Sequence, residues 1–373
     1  MENVINKLKE SPLFNLSLSS KELFHSNFLY WIGQNYPLEF GKLFADYLSV
    51  KPEDLSIKPA DIFREKENID LSFKYSNGQE ILIENKVKSV PYFQQLEKYS
   101  ENASVEKNYI LLSLSYPSFF QSKENLVINK ATWYYLSYSE LKNKLKSMSF
   151  NFSNEYHRNI IEDYCVFIEG LVEVNELCNL NEEDFFDFHS IGTNEVYERL
   201  QEIRLHDFYL KKKYELISFK IYNKLKEKGK RLIDFGSPLD WKSENSTIFI
   251  GHGMTRGQGF MDLKYLISSD VALGIQIQGD NYRMVVEDTN GSVANNIKEK
   301  LDSGFWFDFS RSFPNLIIHP KGKKEFNKYG NTFFYKSVKL GTGYKMNYII
   351  DIVLSDVNQI EANFTKIKSL IEK

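Results

Sequence analysis

The first 150 residues alternate between helical and strand-like patterns of apolar positions. A helix is predicted at Ser19–Gln34, because this segment opens with the Ser-x-x-Glu spacing of a capping box. Strands are predicted at Ile62–Tyr75 and Glu80–Val87, which are rich in β-branched and aromatic residues. The turn-forming tripeptide Ser76-Asn77-Gly78 separates these strands and predicts a β-hairpin.

Shorter elements follow the predicted hairpin. Tyr92–Ala103 and Ser139–Lys146 have helical composition, with Pro91 at a position that a helix start tolerates. Asn108–Ser113 and Thr132–Leu136 are short apolar runs of the buried-strand type. The order helix, strands, helix, strand predicts a compact layer of α/β (α+β) class.

Two further zones have different patterns. From about residue 154 to 228, apolar residues recur at spacings of three and four, which predicts helices with one apolar and one acidic face. After residue 231, strands are predicted at Thr247–Ile250, Val271–Gln278, Tyr282–Glu287, Thr332–Tyr335 and Tyr348–Leu354, with a closing helix at Asp356–Glu372. We therefore expect domains at 1–150, 151–230 (a helical connector) and 231–373 (a β-rich α+β domain).

Composition excludes several classes of protein. The chain has 373 residues, of which 42% are apolar and 26% charged, so it can form two or three folded domains. Its apolar runs fall short of the roughly 18 residues that span a bilayer, and its start lacks the apolar segment of a secretory signal. We expect a cytoplasmic protein without a membrane contact. Cys165 and Cys178 lack metal-site spacing and are expected to be core residues.

The net charge of −3 conceals a segregation of charge along the chain. Residues 151–208 carry 3 basic and 14 acidic residues, whereas residues 209–373 carry 26 basic and 18 acidic residues. The densest basic segment, Lys211–Arg231, can follow a phosphate backbone, or its lysines can simply stabilise a helix end. On the first interpretation, the nucleic-acid-binding residues are Lys213, Lys220, Lys224 and Lys228.

The predicted hairpin brings three charged residues together. If Ser76-Asn77-Gly78 is a three-residue loop, Asp70 lies directly opposite Glu84, and Lys86 shares their face of the sheet. A two-residue loop would instead place Asp70 and Glu84 on opposite faces. The proposed cluster therefore requires a loop of odd length or a bulge.

Two carboxylates on an apolar strand pair repel each other unless a cation lies between them or one is protonated. Mg²⁺ or Mn²⁺ is the expected cofactor, held by Asp70, Glu84 and a strand carbonyl such as that of Asn85. Such a metal supports phosphodiester hydrolysis, with Lys86 as the catalytic amine. The alternative is a surface salt bridge between Glu84 and Lys86.

At these residues the chain resembles the PD-(D/E)XK nuclease superfamily. Ile69-Asp70 matches the first half of the motif and Ile83-Glu84-Asn85-Lys86 the second, although the proline before the aspartate is missing. Gln95 and Tyr99 resemble the Gln-x-x-x-Tyr element of the RecB-like branch, which implies catalytic support from a helix beside the site. The resemblance covers about residues 15 to 135 and implies a restriction-endonuclease-like core with a mixed central sheet flanked by helices.

The resemblance also reaches the first predicted helix. Family members often supply a metal ligand from this helix, which implies Glu22 and His25 as further metal-site residues. A structural role competes for Glu22, because its position in the capping box would let it bond the backbone at Ser19.

The expected function is metal-dependent hydrolysis of phosphodiester bonds by an endonuclease or exonuclease. By family analogy alone, DNA is preferred over RNA as the substrate, and bacterial defence or DNA repair is the expected setting. The alternative function is a nucleic-acid-binding or partner-gated effector protein with a silent nuclease core. The sequence leaves open whether the protein forms a homodimer or binds a partner protein. It does not assign a role to residues 231–373, for which nucleic-acid binding and partner binding are the candidates.

Overall fold

The computed structural model describes residues 2–19, 21–66, 68–101, 107–120, 125–186, 195–229, 233–235, 247–289, 291, 293–302, 306–313, 326–341 and 343–371. The chain forms two compact units. The first contains residues 1–179 and 198–208, and the second contains residues 180–197 and 209–373. No helix among the described residues is long and apolar enough to cross a membrane.

The first unit is built on a six-stranded mixed sheet with the strand order β1-β2-β3-β4-β6-β5. Its strands are β1 (Ile57–Lys66), β2 (Ile69–Tyr75), β3 (Glu80–Lys86), β4 (Lys107–Ser113), β5 (Asn125–Ile128) and β6 (Ala131–Ser137). Strands β3, β4 and β6 are parallel, whereas β1, β2 and β5 pair antiparallel with their neighbours. This topology confirms the predicted α/β class with a mixed central sheet.

Helices flank this sheet. They are α1 (Glu2–Glu10), α2 (Pro12–Ser17), α3 (Lys21–Asn35), α4 (Pro37–Leu48), α5 (Phe93–Glu101), α6 (Tyr138–Ser147) and α7 (Glu155–Leu177). Helix α3 contacts β1, β2 and β3. Leu96 of α5 belongs to a buried apolar cluster that also contains Leu82, Leu111 and Trp133. The two helices therefore hold the strands that carry the predicted charged cluster.

The helical middle of the chain is confirmed. It consists of α7 followed by α8 (Glu195–Glu202) and α9 (His206–Glu227). Helix α7 buries Ile161, Tyr164, Ile168 and Leu171, as their three- and four-residue spacing predicts. Cys165 and Cys178 are buried and unbonded to each other, as expected.

The second unit contains a seven-stranded, largely antiparallel sheet with the order β12-β13-β11-β10-β9-β8-β7. Its strands are β7 (Ile233–Phe235), β8 (Ile248–Thr255), β9 (Gln258–Leu266), β10 (Val271–Gln278), β11 (Asn281–Asp288), β12 (Asn327–Tyr329) and β13 (Phe333–Lys339). Its helices are α9, α10 (Val293–Asp302), α11 (Phe309–Ser312), α12 (Met346–Ala362) and α13 (Phe364–Ile371). The β-rich α+β class expected for the C-terminal part is thus confirmed.

Two predicted elements are wrong in detail. The strand predicted at Tyr348–Leu354 lies within α12, where Ile349, Ile350 and Val353 are buried at helical spacing. The predicted strand Ile62–Tyr75 is two strands, because the chain reverses just before β2. Asn68 adopts φ 64°, a left-handed conformation that asparagine tolerates better than most residues.

Candidate functional site

The loop between β2 and β3 has the predicted three-residue length. Tyr75 donates its N–H to the carbonyl of Gln79 at 2.9 Å, and Gly78 closes the turn with φ 86°. The strands pair Leu71 with Ile83 and Lys74 with Glu80. The same register, continued by one residue, places Asp70 opposite Glu84. The predicted register is therefore confirmed.

Glu84 and Lys86 form a close ion pair at the end of β3. The Nζ atom of Lys86 lies 2.7 Å from Oε1 of Glu84. The side chains are only 13% and 3% exposed, so this pair is not the solvated surface salt bridge that the sequence left open.

Gln95 of α5 bonds the same glutamate, and Tyr99 of α5 bonds Gln95. The Nε2 atom of Gln95 donates to Oε1 of Glu84 at 2.8 Å and to the Tyr99 hydroxyl at 3.0 Å. Their separation of four residues places both on one face of the helix. The structure thus brings together Gln95, Tyr99, Glu84 and Lys86.

Asp70 is tied to the backbone of the neighbouring strand. Its Oδ2 atom accepts the N–H of Asn85 at 2.7 Å. The Asn85 side chain lies on the other face of the sheet, where its Nδ2 donates to the Glu22 carbonyl at 2.9 Å and its Oδ1 accepts from Tyr138 at 2.5 Å. Asn85 therefore links the strand that carries Glu84 to helix α3.

Glu22 of α3 lies close enough to act electrostatically on the cluster. Its Oε1 atom accepts the N–H of Ser89 at 3.2 Å and also accepts the Ser89 hydroxyl. The negative charge of Glu22 contributes to a raised pKa for both Asp70 and Glu84. The described contacts of the Glu22 side chain thus run to the segment after β3, and its role in a metal site stays a prediction.

His25 lies in an aromatic cluster. Its Nδ1 atom is 2.9 Å from the hydroxyl of Tyr164, and its ring packs against Tyr138 and Phe167. It is 1% exposed, and among the described residues no group bonds its Nε2 atom. None of its described contacts reaches Asp70 or Glu84.

Burial dominates the electrostatics of the carboxylates. Desolvation raises the pKa of Glu84 to about 7, with Asp70 raising it further and Lys86 opposing the shift. Desolvation also raises the pKa of Asp70, against the lowering effect of the Asn85 N–H. For Lys86, burial favours the neutral form, but Glu84 and the other carboxylates outweigh it, so its pKa is raised. The cluster thus combines the carboxylates of Asp70, Glu84 and Glu22 with one lysine, in surroundings that are largely shielded from water.

The charged cluster supplies some, but not all, of the ligands that a hard divalent cation needs. In the described portion of the chain, no three His, Cys, Asp or Glu side chains form a complete ligand set. However, the Oε2 atom of Glu84 is buried and bonds to none of the described groups. Two carboxylates with an unsatisfied oxygen are the donors that Mg²⁺ or Mn²⁺ prefers, and such ions complete their coordination with water.

The lysines of α9 make contacts within the second unit. Lys213 is buried, with its Nζ 3.8 Å from the ring centre of Phe186. The Nζ atom of Lys220 lies 2.7 Å from Oε1 of Glu182, and the Nζ atom of Lys224 lies 3.2 Å from Oδ1 of Asp351. Lys228 is exposed just after the end of α9. Binding of nucleic acid by these four lysines stays a prediction.

The groups that hold the charged cluster in place could not be identified from the sequence. Ser89 bonds Glu22, Ser26 accepts from Asn85 at 3.2 Å, and Tyr138 donates to Asn85. These partners are distant in sequence, apart from Ser89, which follows Lys86 by three residues. The serine carries no motif that would have identified it.

Comparison with protein-family models identifies a match to part of the chain. A family model described as the PD-(D/E)XK nuclease superfamily matches residues 13–166. No curated protein and no solved structure matches the chain significantly. The matched region contains the charged cluster, the loop that sets its register and all of α5.

Proposed function

Since residues 13–166 belong to the PD-(D/E)XK nuclease superfamily, we propose that the chain is a metal-dependent phosphodiesterase that cleaves DNA. The observation that carries this proposal is the position of Lys86, 2.7 Å from a buried Glu84 that lies opposite Asp70 of the neighbouring strand, on the same face of the sheet. The second Glu-x-Lys tripeptide of the chain, at Glu140 to Lys142, lies in α6 and has no strand partner. Placement therefore supports the first tripeptide as the site.

We assign the metal ligands to Asp70 and Glu84, with the Asn85 carbonyl as a further donor. The buried, unbonded Oε2 atom of Glu84 supports this assignment. A bound Mg²⁺ or Mn²⁺ ion supplies polarisation of a phosphoryl oxygen and acidification of a water molecule. The Asn85 N–H keeps the Asp70 carboxylate in place, which lowers the cost of organising the site.

The remaining residues act through charge and position. Lys86 supplies a positive charge that stabilises negative charge developing on a phosphoryl group. Gln95 donates a hydrogen bond to the same Glu84 oxygen that pairs with the Lys86 ammonium group. Gln95 also donates to the Tyr99 hydroxyl, which helps to fix the position of the amide. Glu84 is therefore oriented by both α5 and its own strand.

Cleavage assays test this function. Labelled single- and double-stranded DNA and RNA are incubated with the wild type and with Lys86→Ala and Asp70→Ala, in Mg²⁺, in Mn²⁺ and in chelator. We expect the wild type to cleave DNA only when a divalent ion is present. The cleavage rate of either variant should be at least about 100-fold lower than that of the wild type.

A matched control is Lys142→Ala, which removes the lysine of the second Glu-x-Lys tripeptide. Lys142 pairs with Glu169 at 3.2 Å on the helical side of the unit, so this variant should retain wild-type activity. Equal activity in all the variants would refute the assigned site. Inactivity of the wild type on every substrate would favour a binding or partner-gated protein instead.

The preference for DNA and a setting in bacterial defence or DNA repair rest on the family resemblance. The same assays separate DNA from RNA. Circular and linear duplexes compared side by side distinguish an endonuclease, which cuts both, from an exonuclease, which needs an end.

A further inference from the structure

A polar pocket lies on one face of the second sheet. The other face packs against helices, with Met261, Leu263 and Ile275 in a core shared with Ile349 and Val353 of α12. Because side chains alternate along a strand, the residues between them point to the pocket face. The pocket has a volume of about 480 Å³, which lies in the range of small-molecule sites, roughly 300–1,000 Å³.

Three polar residues form one row across this face. Asp262 of β9 pairs with Gln276 of β10, which in turn pairs with Arg283 of β11. Arg283 donates through Nη1 to Oε1 of Gln276 at 2.6 Å and to Oε1 of Gln278 at 2.5 Å. Because Arg283 occupies both amide oxygens, the glutamines are oriented to act as donors through Nε2.

The charges of the pocket are balanced. The Nζ atom of Lys264 lies 2.6 Å from Oε2 of Glu287 and 3.6 Å from Oδ2 of Asp262. The charged residues that line the pocket are Arg256, Lys264, Asp262 and Glu287, so the lining has no formal excess of charge. A balanced floor is suited to a neutral ligand with hydrogen-bonding groups, and not to a free anion.

One acceptor of the floor is left without a partner. Asp262 lines the pocket and is 4% exposed. Lys264 and Gln276 interact with its carboxylate, but no described group donates to its Oδ1 atom. A buried carboxylate oxygen in this state is costly unless a donor is supplied. The missing donor is therefore expected to come from a ligand.

Aromatic rings provide the wall of the pocket. Tyr329 and Phe333 line it, and Phe260 lines it from β9. Tyr329 is 45% exposed and stacks on Tyr335 with ring centres 5.5 Å apart. An exposed aromatic ring such as that of Tyr329 beside polar side chains favours a planar ligand that stacks and also forms hydrogen bonds at its edge.

We propose that this pocket binds a nucleobase that carries an exocyclic amino group. The amino group donates to Asp262, the Gln278 amide donates to the adjacent ring acceptor, and the ring stacks beside Tyr329. Cytosine, adenine and guanine carry such a group, whereas uracil does not. Arg256 is exposed at the rim and supplies a cation for a phosphate attached to the base.

The sharpest test uses ligand pairs that differ at the amino group. Calorimetric titration of the full chain compares cytidine with uridine, and guanosine with inosine. We expect the amino-bearing member of at least one pair to bind at least about 10-fold more tightly. No discrimination in either pair, or no binding at millimolar concentrations, would overturn the proposal.

Asp262→Asn tests the acceptor, since an amide can both donate and accept. We expect this variant to lower the preference within the discriminating pair to about 2-fold or less. Asp356→Asn is the matched control, because Asp356 is equally buried but faces Tyr282 and Ser312 on the helix-covered side. It should keep the wild-type preference, and an unchanged preference in Asp262→Asn would refute the assignment.

Two further arms address folding and the source of the base. Tyr329→Ala removes an exposed ring, so it tests the wall without a buried substitution, and we expect binding to weaken at least about 10-fold. The source of the base is tested by comparing the affinity for cytidine monophosphate with that for a cytosine-containing single-stranded oligonucleotide. Tighter binding of one of them shows whether the pocket takes a free nucleotide or a base within a strand. Arg256→Ala should weaken the phosphate-bearing ligands and spare cytidine. Equal binding of all these ligands by wild type and Tyr329→Ala would contradict the proposal.

Discussion

Gln95 donates a hydrogen bond of 2.8 Å to the side chain of Glu84, although the two residues lie on different elements, α5 and β3. The bond uses the same glutamate oxygen that accepts Lys86, so the amide limits the positions this carboxylate can adopt. Helix α5 thereby takes part in the geometry of the charged cluster.

Gln95→Ala should reduce the cleavage rate at saturating metal by about 10- to 100-fold, because Glu84 loses a group that orients it. The measurement is kcat and KM under the conditions of the wild-type assay. Lys98→Ala is the control, because Lys98 is exposed on the same helix. A Gln95→Ala rate equal to that of the control would exclude a positioning role.

The length of the β2–β3 loop should be critical for activity. Deleting Asn77 leaves a two-residue loop, which favours a register in which Asp70 and Glu84 face opposite sides of the sheet. We expect at least about a 100-fold loss of cleavage. Inserting two glycines after Asn77 preserves the odd length and should leave activity close to that of the wild type. Similar activity of both loop variants would show that the loop does not set the register.

The hairpin and cluster were predictable because their determinants are local. The Ser76-Asn77-Gly78 loop sets the register, and strand alternation then assigns Asp70, Glu84 and Lys86 to one face. In contrast, the surroundings of His25 depend on Tyr164, which is 139 residues away in sequence. Chain spacing carries no information about such a contact.

The mistaken strand at Tyr348–Leu354 has a different cause. Its isoleucines and valine favour strands, and a short apolar run does not distinguish a strand from a buried helix. Packing of α12 on the second sheet decides in favour of the helix, with Ile349, Ile350 and Val353 all fully buried. Tertiary contacts thus override local preference here.

The buried bond between Tyr138 and Asn85 should contribute to stability. Tyr138→Phe leaves the Asn85 Oδ1 atom without its 2.5 Å donor, which should cost about 1–3 kcal/mol. Scanning calorimetry should show the transition of the first unit lowered by about 2–4 °C per kcal/mol. Tyr134→Phe is the control, because Tyr134 is only half-buried, and its transition should stay within about 1 °C of the wild type. Equal shifts in both variants would show that the buried bond does not stabilise the unit.

The buried imidazole of His25 should make the protein sensitive to acid. Burial lowers the pKa of His25 from 6.5 to about 3, so the folded state binds fewer protons than the unfolded state between these values. Stability contributed by the neutral ring is complete above pH 6.5 and is lost as the pH falls toward 3. Between pH 6.5 and 4.5 the loss should be about 2–3 kcal/mol.

His25→Gln removes this titration. The variant should be less stable than the wild type at pH 7, because a packed ring in contact with Tyr138 and Phe167 is lost. Its stability should nevertheless decline less steeply between pH 6.5 and 4.5, since glutamine takes up no proton on unfolding. Urea unfolding at a series of pH values gives both quantities. Parallel stability curves for the two proteins would mean that His25 becomes protonated as readily in the folded chain as in the unfolded one.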